Sequence, residues 1–284
     1  MSESCSAALM RLAPQTGRTA APLAGVEFFR ADEPEAVGWV LYDASIIFVL
    51  QGAKRGQLGD RTLHYAEGSH LVLPLSVPLQ STIQVASPDR PFLAVTISVD
   101  PGQIASLVHE GGQIASDPPG PDPIAVGDTT DEMKNALIRL LRSMDSESDR
   151  RILAPAIVRE IHYRVLRGPH GALLHAAARE NGTIAQVAAS LRLIHERYDH
   201  PLSVGELARA AHMAESTFFA AFRSITGTTP IQHLKAVRLN RARTLLTYEG
   251  VSVAEAARRT GYRSRSQFSR DFSARFGTPP SAAK

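Results

Sequence analysis

Between Val26 and Val99 the apolar residues come in short runs: Gly38–Leu41, Ile46–Leu50, Leu71–Leu75 and Phe92–Val99. Turn-forming pieces separate them, among them Gln51-Gly52, Leu58-Gly59-Asp60, Glu67-Gly68 and Ser87-Pro88-Asp89. Such punctuation predicts strands, and many short strands at close spacing predict a small β-barrel or sandwich. No helical run interrupts them, which argues against parallel βαβ winding. Residues 1–20 read as a loose tail, and residues 111–127, GGQIASDPPGPDPIAVG, as a loop.

Helical periodicity follows. Asp128 is the expected N-cap of a helix whose Ala136, Leu137, Leu140, Leu141 and Met144 form an apolar stripe. A second helix is predicted over about residues 150–167, with Ile157, Val158, Ile161 and Val165 on one face. Pro155 lies in its first turns, where proline is tolerated, and Gly168-Pro169 ends it. A third runs over about 183–198, with Ile184, Val187, Ala188, Leu191 and Ile194 apolar, and Pro201 closes it. The amphipathic pair before it has two readings: packing onto the chain's own barrel, or offering a seam to a second copy as a homodimer.

From Val204 onward one phrase occurs twice. Val204, Glu206 and Ala208 recur 49 residues later as Val253, Glu255 and Ala257. Phe218, Phe222, Gly227 and Pro230 recur 50 residues later as Phe268, Phe272, Gly277 and Pro280. The change of offset makes one inter-helix turn a residue longer. Ser203 and Ser252 precede the two short helices, each with Glu three residues on, which predicts a capping box in both copies. Small alanines let the next helix cross closely, and His212-Met213 and Gly261-Tyr262 supply the turns. Each phenylalanine pair, spaced i, i+4, marks one buried face. These features predict helix-turn-helix units at 203–227 and 252–276. A pair of them on one chain is a device for entering two adjacent major grooves of DNA.

The faces left over are unlike. The first copy offers Ser216, Thr217, Phe219, Ala220 and Arg223, nearly apolar at its centre. The second offers Arg263, Arg265, Ser266, Ser269, Arg270 and Ser273, basic and polar. Arginine can bond guanine edges or phosphates and serine either, whereas Phe219 and Ala220 suit thymine methyl groups. Between the copies, residues 231–246 read as one helix with a basic side of Lys235, Arg238, Arg241 and Arg243 facing phosphates. About 16 residues at ~1.5 Å each span roughly 24 Å, enough with the packed units to hold two reading helices about one DNA turn apart.

Charge agrees with this division. Residues 184–284 carry 15 Lys and Arg against 7 Asp and Glu, a net +8, while residues 1–183 carry 16 against 21, a net −5. The basic excess lies on the repeat, as a polyanion partner requires. Cys5 is the only cysteine, so no intrachain disulfide forms, which fits a reducing cytoplasm. The N-terminus lacks a signal-peptide pattern, and apolar stretches such as 45–50 are too short to span a bilayer, so no membrane partner is expected.

The phrases PLSVGELARAAHMAESTFFAAFRSITGTTP, RLNRARTLL and VSVAEAARRTGYRSRSQFSRDFSARFGTPP resemble the DNA-binding region of AraC/XylS-type transcription regulators over about residues 184–284. YDASIIFVLQGAKRGQLGDRTLHYAEGSHLVLP and IVREIHYRVLRGPHGALL look like the AraC-type N-terminal regulatory domain, a cupin-like barrel followed by helices. The resemblance implies an α+β architecture: a regulatory region over 21–178 and an all-α DNA-binding region over 184–284. It implies a bacterial factor that binds double-stranded promoter DNA, acts on RNA polymerase, usually as an activator, and answers to a small-molecule effector. It places base contacts near Ser216, Phe219 and Ala220 and near Arg265, Ser266, Ser269 and Arg270. Many members carry Arg or another polar residue where Ala220 stands, so little direct readout is expected from the first copy.

Cupin-like barrels can hold metals, typically through two His one residue apart with a Glu soon after. Here His64 and His70 are six apart with Glu67 between them, and neither a metal nor another cofactor is expected. Trp39, Tyr42, His64 and His70 are the candidate effector-pocket residues, although an aromatic among strands also serves as plain core. No nucleophile elbow, phosphate loop or Cys-His arrangement appears, so no enzyme is predicted. The alternatives are a ligand-binding or catalytic cupin with a non-functional C-terminal appendage, and a repressor without an effector.

Overall fold

The computed structural model describes residues 4–58, 61–111, 124–178 and 182–283. The predicted turn at Gly59-Asp60, residues 112–123 of the predicted loop and the first three residues of the predicted tail lie outside them. The N-terminal half holds two antiparallel sheets. One has six strands in the order β1 (Gly17–Ala20), β2 (Val26–Ala31), β9 (Phe92–Ser98), β4 (Ser45–Gln51), β7 (Ser69–Leu73) and β10 (Ala125–Asp128). The other has four, β3 (Glu35–Tyr42), β8 (Val77–Val85), β5 (Ala53–Leu58) and β6 (Arg61–Ala66).

Strand β4 reads SIIFVLQ without alternation because both its faces are covered. Ile47 and Val49 meet Tyr65, Leu79 and Phe92 between the sheets. Ile46 and Phe48 join the core under the helices α1 (Cys5–Leu12), α2 (Pro101–Gly111), α3 (Asp131–Ser143), α5 (Ala154–Leu166) and α6 (Gly171–Ala178). That packing settles the α3 and α5 stripes onto the chain's own barrel.

Three local differences from the sequence reading have plain causes. Residues 5–12 are a helix, not a loose tail: Ser4 caps it by accepting from the Ala7 amide, and Ala8 and Leu9 are fully buried. Thr130, not Asp128, caps α3, because Asp128 pairs with Ser69 in β10. The helix predicted over 150–167 is two, α4 (Glu147–Ile152) and α5, broken at Leu153, because Pro155 in the first turn of α5 has no amide to donate to the turn before it.

The C-terminal half is all helix: α7 (Thr183–Arg197), α8 (Val204–Ala210), α9 (Glu215–Thr226), α10 (Pro230–Tyr248), α11 (Val253–Arg259) and α12 (Arg265–Phe276). It has two separate cores. Val187, Leu191 and Ile194 of α7 pack with Leu207, Phe218, Phe222, Leu234 and Val237. Leu239, Ala242 and Leu246 pack with Ala256, Ala257, Phe268 and Phe272. Helix α10 therefore serves the first core with its first half and the second with its second half.

Candidate nucleic-acid interface and effector pocket

Each reading helix is aimed by its own local chemistry. Helix α8 opens on a full capping box, with Ser203 accepting from the Glu206 amide and Glu206 accepting from the Ser203 amide. The second copy keeps only half of it. Ser252 accepts from the Glu255 amide, but the Glu255 carboxylate takes Arg258 and Arg259 instead, which hold its pKa down to about 2. Both turns need one left-handed residue, His212 at φ 51° and Gly261 at φ 75°. Gly227 and Gly277 end α9 and α12 in the same conformation.

The four recurring phenylalanines, Phe218, Phe222, Phe268 and Phe272, are fully buried. That rotation leaves Ser216, Thr217, Phe219, Ala220 and Arg223 exposed on α9, with Phe219 at 40%. On the second unit Arg263, Arg265, Ser266 and Arg270 are exposed and Ser269 is half-buried. The structure thus gathers the predicted reading residues into two solvent-facing surfaces, one apolar and one cationic.

The basic residues of the linker helix also have partners within the protein, although Arg241 and Arg243 stay exposed. Lys235 Nζ lies 3.3 Å from Asp271 of α12. Arg238 donates to the carbonyls of Tyr198 (2.6 Å) and His200 (2.9 Å). Arg241 stacks over Tyr198 and Arg243 over Phe276, 4.8 Å from the ring centre. Sequence reasoning saw the charges but not the carbonyls, ring faces and carboxylate that face them.

The barrel holds a cavity of about 370 Å³ between its sheets, lined by Trp39 and Tyr42 and by Phe29, Tyr65, Ser81 and Phe92. Missing from the sequence reading is Lys54, only 8% exposed inside it. Its ammonium sits 5.0 Å from the Phe29 ring centre, 5.6 Å from Tyr42 and 5.7 Å from Phe92. Burial raises the Tyr42 hydroxyl, but the Lys54 charge together with hydrogen bonds from Lys54, Ser81 and Tyr65 brings it below the usual range. No local pattern marks it: only the register, in which β5 pairs Lys54 with Tyr65 and Gly56 with Leu63, puts Lys54 on the inner face.

The two histidines lie elsewhere. His64 is exposed outside β6. His70 is buried on the helix-facing side of β7, in a separate cavity with Gly127 and His170, and burial lowers its pKa to about 4. No cluster of three metal-ligating side chains occurs among the described residues.

The two halves meet at the mouth of the barrel. Arg243 reaches the lip of the cavity. Arg275, in the last turn of α12, stacks 5.2 Å over Trp39, and its Nε and one terminal nitrogen find no hydrogen-bond partner among the described residues. Burial, and next Arg243, lower its pKa to about 10.

This arrangement defines a class of protein that joins a pocketed barrel to paired helix-turn-helix units. Residues 22–173 match the family described as AraC-type transcriptional regulator N-terminus, and residues 207–284 match the helix-turn-helix domain family. The chain belongs to the AraC-type transcriptional regulators. Among curated relatives, the RCS-specific transcriptional activator RclR of Escherichia coli is 34% identical over 95 residues, 34% of either chain. The chain thus spans about a third of the length of that relative. The virulence regulon transcriptional activator VirF of Yersinia enterocolitica is 22% identical over 84% of this chain and 88% of its own. Apo ToxT from Vibrio cholerae shares the fold, with a TM-score of 0.66 at 12% identity over 94% of this chain and 98% of that one. A ToxT structure with a bound unsaturated fatty acid gives 0.62 at 11% identity, over 94% and 96%. No helix among the described residues is long and apolar enough to cross a membrane.

Proposed function

We propose that the chain is a sequence-specific DNA-binding transcription regulator, an effector-responsive activator working in the bacterial cytoplasm with promoter DNA and RNA polymerase as partners. The observation that carries this reading is the pair of unlike exposed faces on one repeated scaffold. Arg263, Arg265, Ser266, Ser269 and Arg270 supply the hydrogen-bonding contacts of one groove. Ser216, Thr217, Phe219, Ala220 and Arg223 supply a mainly apolar surface to the next. The expected DNA site is an asymmetric tandem, not a palindrome. Lys235 and Arg238 join these as phosphate contacts in this reading, while their partners inside the protein also hold the two units. A gel shift on the chain's own upstream DNA tests this reading, and retained binding after Arg265→Ala with Arg270→Ala would count against it.

The barrel cavity is the effector site in this reading. Lys54, buried among aromatic rings, suits a small molecule with an apolar body and an acidic group, the chemistry of the fatty acid held by ToxT. His64 and His70 drop out of the pocket, while Trp39 and Tyr42 stay. The exposed Ile152 of α4, Leu153 at the break and Tyr163 of α5 are the surface where a second copy would pair. A thermal-shift panel of acids against their neutral amides tests the pocket.

A further inference from the structure

The two cores of the C-terminal half share no residue, and the backbone of α10 joins them. A helix in common fixes how far apart the units are, but each unit must also be held against rotation about it. Among the described residues, four side chains that cross the boundary form a polar cluster. Arg238 leaves α10 to bond the Tyr198 and His200 carbonyls, at the approach to the first unit. The same guanidinium lies 6.0 Å over the ring of Tyr262, in the turn of the second unit. The Tyr262 hydroxyl donates to Asp271 of α12 at 3.3 Å, and Asp271 also pairs with Lys235 of α10. Gly261 brings that turn against the backbone at Asp199, so close that a Cβ would stand 2.5 Å from the Asp199 carbonyl oxygen.

We propose that Arg238, through Tyr262, Asp271 and Lys235, is a positioning residue that fixes the angle between the two reading helices and so the half-site spacing the protein accepts. The inference rests on the DNA-binding reading above. Its physical basis is directional. Hydrogen bonds to two backbone carbonyls and a ring face admit one arrangement, whereas apolar packing tolerates small rotations. On DNA the requirement is strict, because one base pair moves a half-site by about 3.4 Å and turns it by about 34°. A cation that only touched phosphate would weaken binding at every spacing alike.

The test uses the full chain and the tandem site it selects from random DNA. That site is then rebuilt with one base pair removed, and with one or two added, between the half-sites. The wild type is expected to bind the native spacing about tenfold or more tightly than its neighbours, the scale of a lost base contact. Arg238→Met and Tyr262→Phe are expected to shrink that ratio to about threefold or less. Tyr262→Phe loses only the bond to Asp271 and keeps the ring, so it decides the matter where Arg238→Met fails to fold. An unchanged ratio in folded variants overturns the proposal, as does an equal loss at all spacings. A wild type that selects no DNA overturns the DNA-binding reading itself.

Discussion

His195 Nε2 of α7 lies 3.0 Å from Ser76 Oγ, a hydrogen bond that crosses from the helical half to the turn between β7 and β8 of the barrel. Burial lowers the His195 pKa, Asp43 at 3.9 Å opposes that, and Arg241 adds to it. His233, fully buried beside it with neither ring nitrogen bonded, is the other facing imidazole, with burial, then His195 and Arg275, lowering its pKa to about 3. The docked state thus prefers neutral His195. Its contribution is present above the unperturbed pKa of about 6.5 and is lost as pH falls through the lowered value. Protease nicking at the junction of the halves should rise as pH drops from about 7 to 5.5. His195→Gln, which does not titrate, should reduce that rise to the share that His233 contributes, and an unchanged profile in the variant would exclude His195 as a source.

Lys54 gives a prediction with two signs. Replacing a buried cation by an apolar side chain of similar length removes a desolvation cost, so Lys54→Met should raise the ligand-free stability by about 1 kcal/mol. The same change removes the one buried cation of the cavity and should abolish the thermal shift caused by an apolar acid. A variant that gains stability and still shifts with the acid would relocate the effector site.

What was legible in the sequence follows from how local its causes are. The caps, the i, i+4 phenylalanines and the left-handed Gly261, Gly227 and Gly277 act within a turn or two, so the repeat could be read directly. The barrel was legible in its punctuation. Lys54 and His70 were not, because which face of a strand a residue takes depends on distant partners, and AKRGQL has no apolar alternation to betray it. The linker arginines were missed for the same reason, since the carbonyls that receive Arg238 lie about forty residues away. The helix over 5–12 went unread because its burial depends on the sheet beneath it.

His212 and Gly261 occupy matching turns, and the contrast is testable. His212 pays for a left-handed backbone that glycine adopts without steric cost. His212→Gly should therefore stabilise the chain by about 0.5–1 kcal/mol, net of the flexibility glycine adds to the unfolded state. Gly261→Ala should destabilise it by more than about 2 kcal/mol, because its Cβ meets the Asp199 carbonyl at 2.5 Å as well as the unfavourable φ. Denaturant midpoints at constant slope read both effects.

The unlike reading faces predict unlike salt and sequence responses. Each arginine on phosphate releases counterions, so its loss lowers the steepness of the plot of log affinity against log salt by about 1. Arg265→Ala and Arg270→Ala should each do this or relax preference at one base pair by about 1–3 kcal/mol, according to whether the side chain meets phosphate or a base edge. Phe219→Ala on the first unit should leave the slope alone, since it removes no charge. It should instead weaken binding most at sites carrying thymine under α9, where its ring meets the methyl group. Anisotropy titrations from about 50 to 200 mM salt, on the selected site and on variants with thymine replaced in the first half, separate the two behaviours. A slope that falls for Phe219→Ala, or thymine dependence moving to the α12 half, would reverse the assignment of the two faces.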